Sequence, residues 1–114
     1  MGRITKEMFE KVYEIYFTQT QDIDPVVKMG MNETSAKMTL VWYEHILNGK
    51  LYKRTASAVQ IEFILEKLFN DNDKSRLALV LQSFNKYIEF YNDKQLKKVK
   101  SYIELYEGKL LEMT

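Results

Sequence analysis

The chain has 114 residues, 46% hydrophobic and 29% charged, with 17 basic and 16 acidic side chains and a formal net charge of +1. That is enough apolar chain for one modest core and too much for disorder. The charge balance gives no global pull toward nucleic acid or an anionic membrane, so any such binding must come from a local patch. There is no cysteine, which excludes disulfides, thiolate metal sites and cysteine nucleophiles and fits a reducing, cytoplasmic setting.

No apolar run approaches the roughly 18 residues that would cross a bilayer, and the N-terminus lacks the apolar core of a signal peptide. Lys6 stands where a myristoylation signal would place Ser or Thr. Gly (four) and Pro (one) are sparse, strand-type alternation is hard to find, and the dominant hydrophobic period is helical.

In chain order, Thr5 predicts an N-cap for a helix from about Lys6 to Thr18. Met8, Val12, Ile15 and Tyr16 lie on one side of it, and Phe9, Tyr13 and Phe17 widen the face. Gln19 to Asp22 reads as a loop. Asp24-Pro25 restarts helix, with Asp24 as cap and Pro25 in the first helical position, and Gly30 can take the left-handed conformation that ends this short piece. Asn32 caps a helix from Glu33 to Asn48, with Ala36, Leu40, Tyr43 and Leu47 as its stripe and Gly49 just beyond its end.

Past a basic loop, Thr55 or Ser57 can cap a helix reaching about Asn70, with Ala58, Ile61, Leu65 and Leu68 as its stripe. Asn70 to Asp73 is a turn, and Asp73 caps the next helix, striped by Leu77, Val80, Phe84, Tyr87 and Tyr91. Asn92-Asp93 breaks the pattern, and Asn92 with Gln95 forms a capping box for a last helix striped by Leu96, Val99, Ile103, Tyr106 and Leu110. These seams are heptad-like and pack helices at shallow angles. The last two helices, joined by about two residues, should form an antiparallel hairpin. The expected fold is all-α: one compact helical bundle over residues 1–114, with five long helices and one short one.

Catalytic constellations are hard to assemble. His45 is the single histidine; a zinc site needs three or four ligands and a catalytic imidazole needs partners. Near the C-terminus of its helix, a cation is simply favourable. Glu62 and Glu66 form an i, i+4 pair on one helix face, whereas acid/base glycosidase chemistry needs two carboxylates across a cleft. Gly2, Gly30, Gly49 and Gly108 are each isolated, so no phosphate-cradling glycine loop exists. The expectation is a protein that is not an enzyme and uses no metal or cofactor.

Binding is more plausible. Tyr87, Tyr91 and Tyr106 lie on apolar stripes and read as core residues with the hydroxyl at an edge. Trp42 and Tyr43 are adjacent on one helix, so one should face the core and the other a second surface. Trp42 with Phe9, Tyr13 and Phe17 is the candidate interface for a protein partner or a second copy. Lys50, Lys53 and Arg54 crowd one loop around Tyr52, directly before a helix N-terminus whose free N–H groups and the Thr55 hydroxyl favour an anion. Lys94, Lys97 and Lys98 make a second basic group on the outer face of the last helix, and it could join the first into one footprint.

The segments Gly30-Met31-Asn32-Glu33-Thr34-Ser35-Ala36 and Leu47-Asn48-Gly49-Lys50-Leu51-Tyr52-Lys53-Arg54-Thr55 resemble a helical module found N-terminal to HNH-type nuclease domains of low-GC Gram-positive bacteria. Phe63 to Lys67 and Lys86 to Tyr91 are similar to it as well, so the resemblance spans roughly residues 28 to 106. It implies an accessory domain of a restriction-like or mobile-element nuclease, or a free-standing relative. The His/Asn/His metal core of such nucleases is not in this sequence, so the resemblance implies no activity. The leading expectation is therefore a non-catalytic module assisting DNA recognition. Lys50, Lys53, Arg54 and Thr55 would touch phosphates and Tyr52 would pack on a sugar or base. The alternative is a protein-interaction or oligomerisation module.

Overall fold

Capping chemistry sets the helix boundaries in a computed structural model that describes residues 4–18, 22–53, 57–91 and 97–113. Among these residues the backbone forms six α-helices and no strand: α1 (Lys6–Thr18), α2 (Asp24–Lys28), α3 (Glu33–Ile46), α4 (Ala58–Asn70), α5 (Lys74–Tyr91) and α6 (Lys97–Glu112). Five are long and one short, as the periodicity requires. The chain divides into two compact units, Met1–Glu44 and His45–Thr114.

In the first unit the Thr5 hydroxyl accepts from the Met8 N–H at 3.3 Å and starts α1. Asp24 is not the cap of α2: Ile23 takes that position, and the Asp22 carboxylate accepts from the Asp24 N–H at 3.1 Å. The physical reason is local, since an Asx-type turn one residue earlier already orders the entry and leaves Asp24 inside the first turn beside Pro25. Gly30, at φ 109°, ends α2 in a Schellman arrangement: the Met31 N–H donates to the Val26 carbonyl at 3.2 Å and the Gly30 N–H to that of Val27 at 2.9 Å. Asn32 then caps α3 through the Thr34 N–H at 2.8 Å.

Phe9 and Tyr13 are buried with Met8, Val12 and Ile15, so they belong to the core and not to an exposed interface. Tyr43 is fully buried, its ring edge-on to Tyr13 at 5.4 Å and its hydroxyl donating to the Phe9 carbonyl at 2.8 Å. Trp42 is buried too, which corrects the expectation that one of the pair faces outward. Neighbouring helical residues lie about 100° apart, and α3 is buried over a broad arc that also holds Ala36, Thr39 and Ile46. Both rings fit within that arc, one toward each edge.

In the second unit α3 stops at another Schellman turn. The Lys50 N–H donates to the His45 carbonyl at 3.0 Å and the Gly49 N–H to that of Ile46 at 3.1 Å, with Gly49 at φ 71°. Ser57, not Thr55, caps α4, in a reciprocal capping box with Gln60. Asn72 takes the left-handed position after α4 at φ 56°, with the Asp73 N–H on the Leu68 carbonyl at 2.9 Å. Asp73 caps α5 through the Arg76 N–H at 3.2 Å and pairs with its guanidinium at 2.7 Å. The Asn92/Gln95 box and Leu96 lie outside the described residues.

Helices α4, α5 and α6 pack on one another in all three pairings. Lys74 at the start of α5 donates to the Met113 carbonyl just past α6 at 3.4 Å, so α5 and α6 are antiparallel. Tyr102 donates to Glu62 at 3.1 Å, and Tyr106 stacks edge-on to Phe69 at 6.1 Å, so α4 and α6 run in the same direction. The result is an up-down-up three-helix bundle closed by Ile61, Leu65, Leu68, Leu77, Val80, Phe84, Val99 and Ile103, all buried.

Candidate nucleic-acid interface

The basic loop is held along α5 by its own carbonyl oxygens. Ser83, Lys86 and Phe90 follow one another at helical spacing on α5, and with Tyr91 at the end of the helix they meet the loop. The Ser83 hydroxyl donates to the Lys50 carbonyl at 2.6 Å, and the Lys86 ammonium to the Gly49 carbonyl at 2.9 Å. The Tyr91 hydroxyl donates to the carbonyl of Lys53. Chain that would otherwise leave three carbonyls to water is thus threaded along a helix, and Lys50 and Lys53 are left with exposed side chains.

The Lys53 ammonium lies 5.1 Å from the centre of the Phe90 ring, a cation–π distance. Phe90 is 52% exposed, a large aromatic face open to solvent beside a lysine. Tyr91 is not the core residue its stripe suggests: at the end of α5 it is 39% exposed, its hydroxyl drawn to the loop. Tyr52 is half-buried with its ring 5.0 Å from that of His45, so the open aromatic of this surface is Phe90 and not Tyr52. The sequence signal that could have found Phe90 was its place one residue off the Tyr87–Tyr91 seam, where an apolar ring must point outward. Arg54, Thr55 and Lys94 lie outside the described residues.

Lys97 and Lys98 occupy the first described turn of α6 and are exposed. Since α5 runs opposite to α4 and α6, the C-terminus of α5 with Phe90 and Tyr91, the start of α4 at Ser57 and the start of α6 share one end of the bundle. Lys53, Lys97 and Lys98 therefore lie toward the end of the bundle where the capped N-terminus of α4 stands. Among the described residues no acidic residue stands in the first turn of α4 or at the described start of α6; Glu89 on α5 is the exposed carboxylate nearest in sequence to Phe90. Lysines near a helix N-terminus oppose the macrodipole, typically by about 0.3–1 kcal/mol each, and an anion seated there reverses that sign.

The Glu62 carboxylate accepts from Tyr102, tying α4 to α6, and His45 closes the end of α3 through its carbonyl. Among the described residues no group of three or more His, Cys, Asp or Glu side chains is placed to hold a metal ion, and no helix is long and apolar enough to cross a membrane. Comparison with family models, with curated proteins and with solved structures finds no match to the chain.

Proposed function

We propose that the chain is a non-catalytic helical accessory module that docks on the phosphate backbone of DNA through the basic end of its second unit. The observation that carries this reading is exposed Lys53 over the open ring of Phe90, at the end of the bundle toward which exposed Lys97 and Lys98 of α6 also lie. Lysines supply sequence-independent phosphate contacts, and an exposed aromatic supplies a face for an unpaired base. Lys50, Arg54, Thr55 and Lys94 extend the same footprint in the sequence. The likeness of residues 28 to 106 to a module preceding HNH-type nuclease domains supports a nuclease or mobile-element setting in a bacterial cytoplasm. The near-neutral overall charge makes this a weak, local docking surface, one that adds to the binding of a larger assembly.

Fluorescence anisotropy with labelled single- and double-stranded DNA, at low and moderate salt, tests the reading. Binding that weakens with salt supports it, and replacing Lys97 and Lys98 together by Ala should flatten the slope of log K against log salt by about one to two units. No binding at low salt would reduce the cluster to a solvated surface.

A further inference from the structure

The first unit carries a surface that the DNA reading leaves unused. A groove of ≈ 870 Å³ lies between Tyr16 and Phe17 of α1 and Lys37, Leu40, Val41 and Glu44 of α3. Its rim is apolar and open: Phe17 is 41% and Val41 46% exposed. Lys37 and Glu44 stand seven residues apart, two turns of α3 and about 10 Å along its axis, so they share a stripe with Val41 between them. Both ends are held in place. Lys37 pairs with Glu33 at 2.9 Å, and Glu44 accepts from the Tyr16 hydroxyl at 2.5 Å.

This stripe is its own complement when reversed. Its charges are opposite and equally far from a centre between Leu40 and Val41. A second α3 laid antiparallel across the groove sets Lys37 of one copy against Glu44 of the other, twice, with Leu40 and Val41 meeting on the two-fold axis. A parallel copy would set Lys37 against Lys37 and Glu44 against Glu44. Such self-complementarity is what an isologous two-fold contact requires. We propose that two copies of this chain associate through antiparallel α3 helices, Phe17, Leu40 and Val41 supplying the apolar contact and the two Lys37–Glu44 pairs fixing its direction. Burial of the apolar rim drives the contact, while exposed ion pairs add little energy and set orientation. The proposal does not depend on DNA binding.

Sedimentation equilibrium of the full chain, from about 10 µM to about 1 mM to suit a small interface, tests it. The expected result is a reversible monomer–dimer equilibrium that Val41→Ser, a change at an exposed position, weakens roughly tenfold or more. Lys37→Glu and Glu44→Lys should each weaken it alone. An equimolar mixture of the two single variants should form heterodimers tighter than either variant's homodimer, because every cross-pair is then attractive; the double variant should regain the original affinity. Lys37→Glu leaves the Tyr16–Glu44 bond intact, so its effect cannot come from that bond. A wild-type chain that stays monomeric over the whole range overturns the proposal. So does a dimer indifferent to Val41→Ser, or a mixture no tighter than its components.

Discussion

The hydroxyl of Tyr43, on α3, donates to the backbone carbonyl of Phe9, on α1, at 2.8 Å from a side chain with no exposed surface. A buried hydroxyl without a partner would be costly, so this bond lets a tyrosine occupy the middle of the first unit and sets the register of one helix against the other. Tyr43→Phe keeps the ring and removes the bond, and should cost about 1 kcal/mol. Tyr43→Ala should cost about 3–5 kcal/mol through the cavity it leaves. Urea unfolding of both variants against the wild type measures the two costs.

The same burial pushes the Tyr43 hydroxyl well above its ordinary value near 10, with the neighbouring Tyr13 adding to the effect. Above about pH 10 the unfolded chain releases this proton while the folded chain retains it. The folded state then holds more protons, and stability falls as pH rises. The wild type should therefore lose stability between pH 9 and 11 more steeply than Tyr43→Phe, by up to about 1.4 kcal/mol per pH unit, in denaturant titrations that cancel the other tyrosines by difference.

Two glycines should respond to alanine with opposite signs. Gly49 has φ 71°, and a Cβ there would meet Leu79 at 3.1 Å and Gln82 at 3.3 Å, so Gly49→Ala should destabilise by about 1–3 kcal/mol. Gly108 lies within α6, and nothing stands within 4 Å of an added Cβ, so Gly108→Ala should stabilise by about 0.5–1 kcal/mol. Thermal unfolding of the pair checks both signs.

Ser83 is a buried hydroxyl on α5 that satisfies the Lys50 carbonyl at 2.6 Å. Ser83→Ala should cost about 1–2 kcal/mol and free the loop that carries Lys50 and Lys53. Faster hydrogen exchange at the Lys50 amide, with the amides of α6 unchanged, is the expected signature.

The lysines and Phe90 should separate in DNA binding. Lys53→Ala should weaken single and double strands alike and flatten the salt dependence. Phe90→Ala should weaken single-stranded binding by about 1–3 kcal/mol and leave the salt slope unchanged, because stacking releases no counterions. Equal loss on both substrates with Phe90→Ala would exclude a stacking role.

Local signals were legible where the chemistry is local. Thr5, Asn32 and Asp73 cap their helices as their side chains and spacings indicate, and Gly30 and Gly49 take the left-handed conformation expected of a glycine at a helix end. A cap is a bond between residues two or three apart, and the sequence carries both partners side by side. Ser57 and Thr55 were equally good on paper; the choice of Ser57 needed the reciprocal bond with Gln60. The start of α2 moved by one residue because the Ile23 carbonyl accepts from the Val26 and Val27 N–H groups that an Asp24 cap would have taken.

The sequence by itself determined an all-α chain of five long helices and one short one, because periods of three and four residues leave the backbone no other way to bury its apolar side chains. Tertiary structure alone decided what each aromatic does. Trp42 and Tyr43 could not be separated by periodicity, since the width of a buried arc depends on which helices cover it, and both proved buried. Phe90 became the open ring beside Lys53 because three carbonyls of a distant loop found donors on α5, across 33 to 38 residues of chain. Contacts that distant leave no period in a sequence; they come into being when the helices pack.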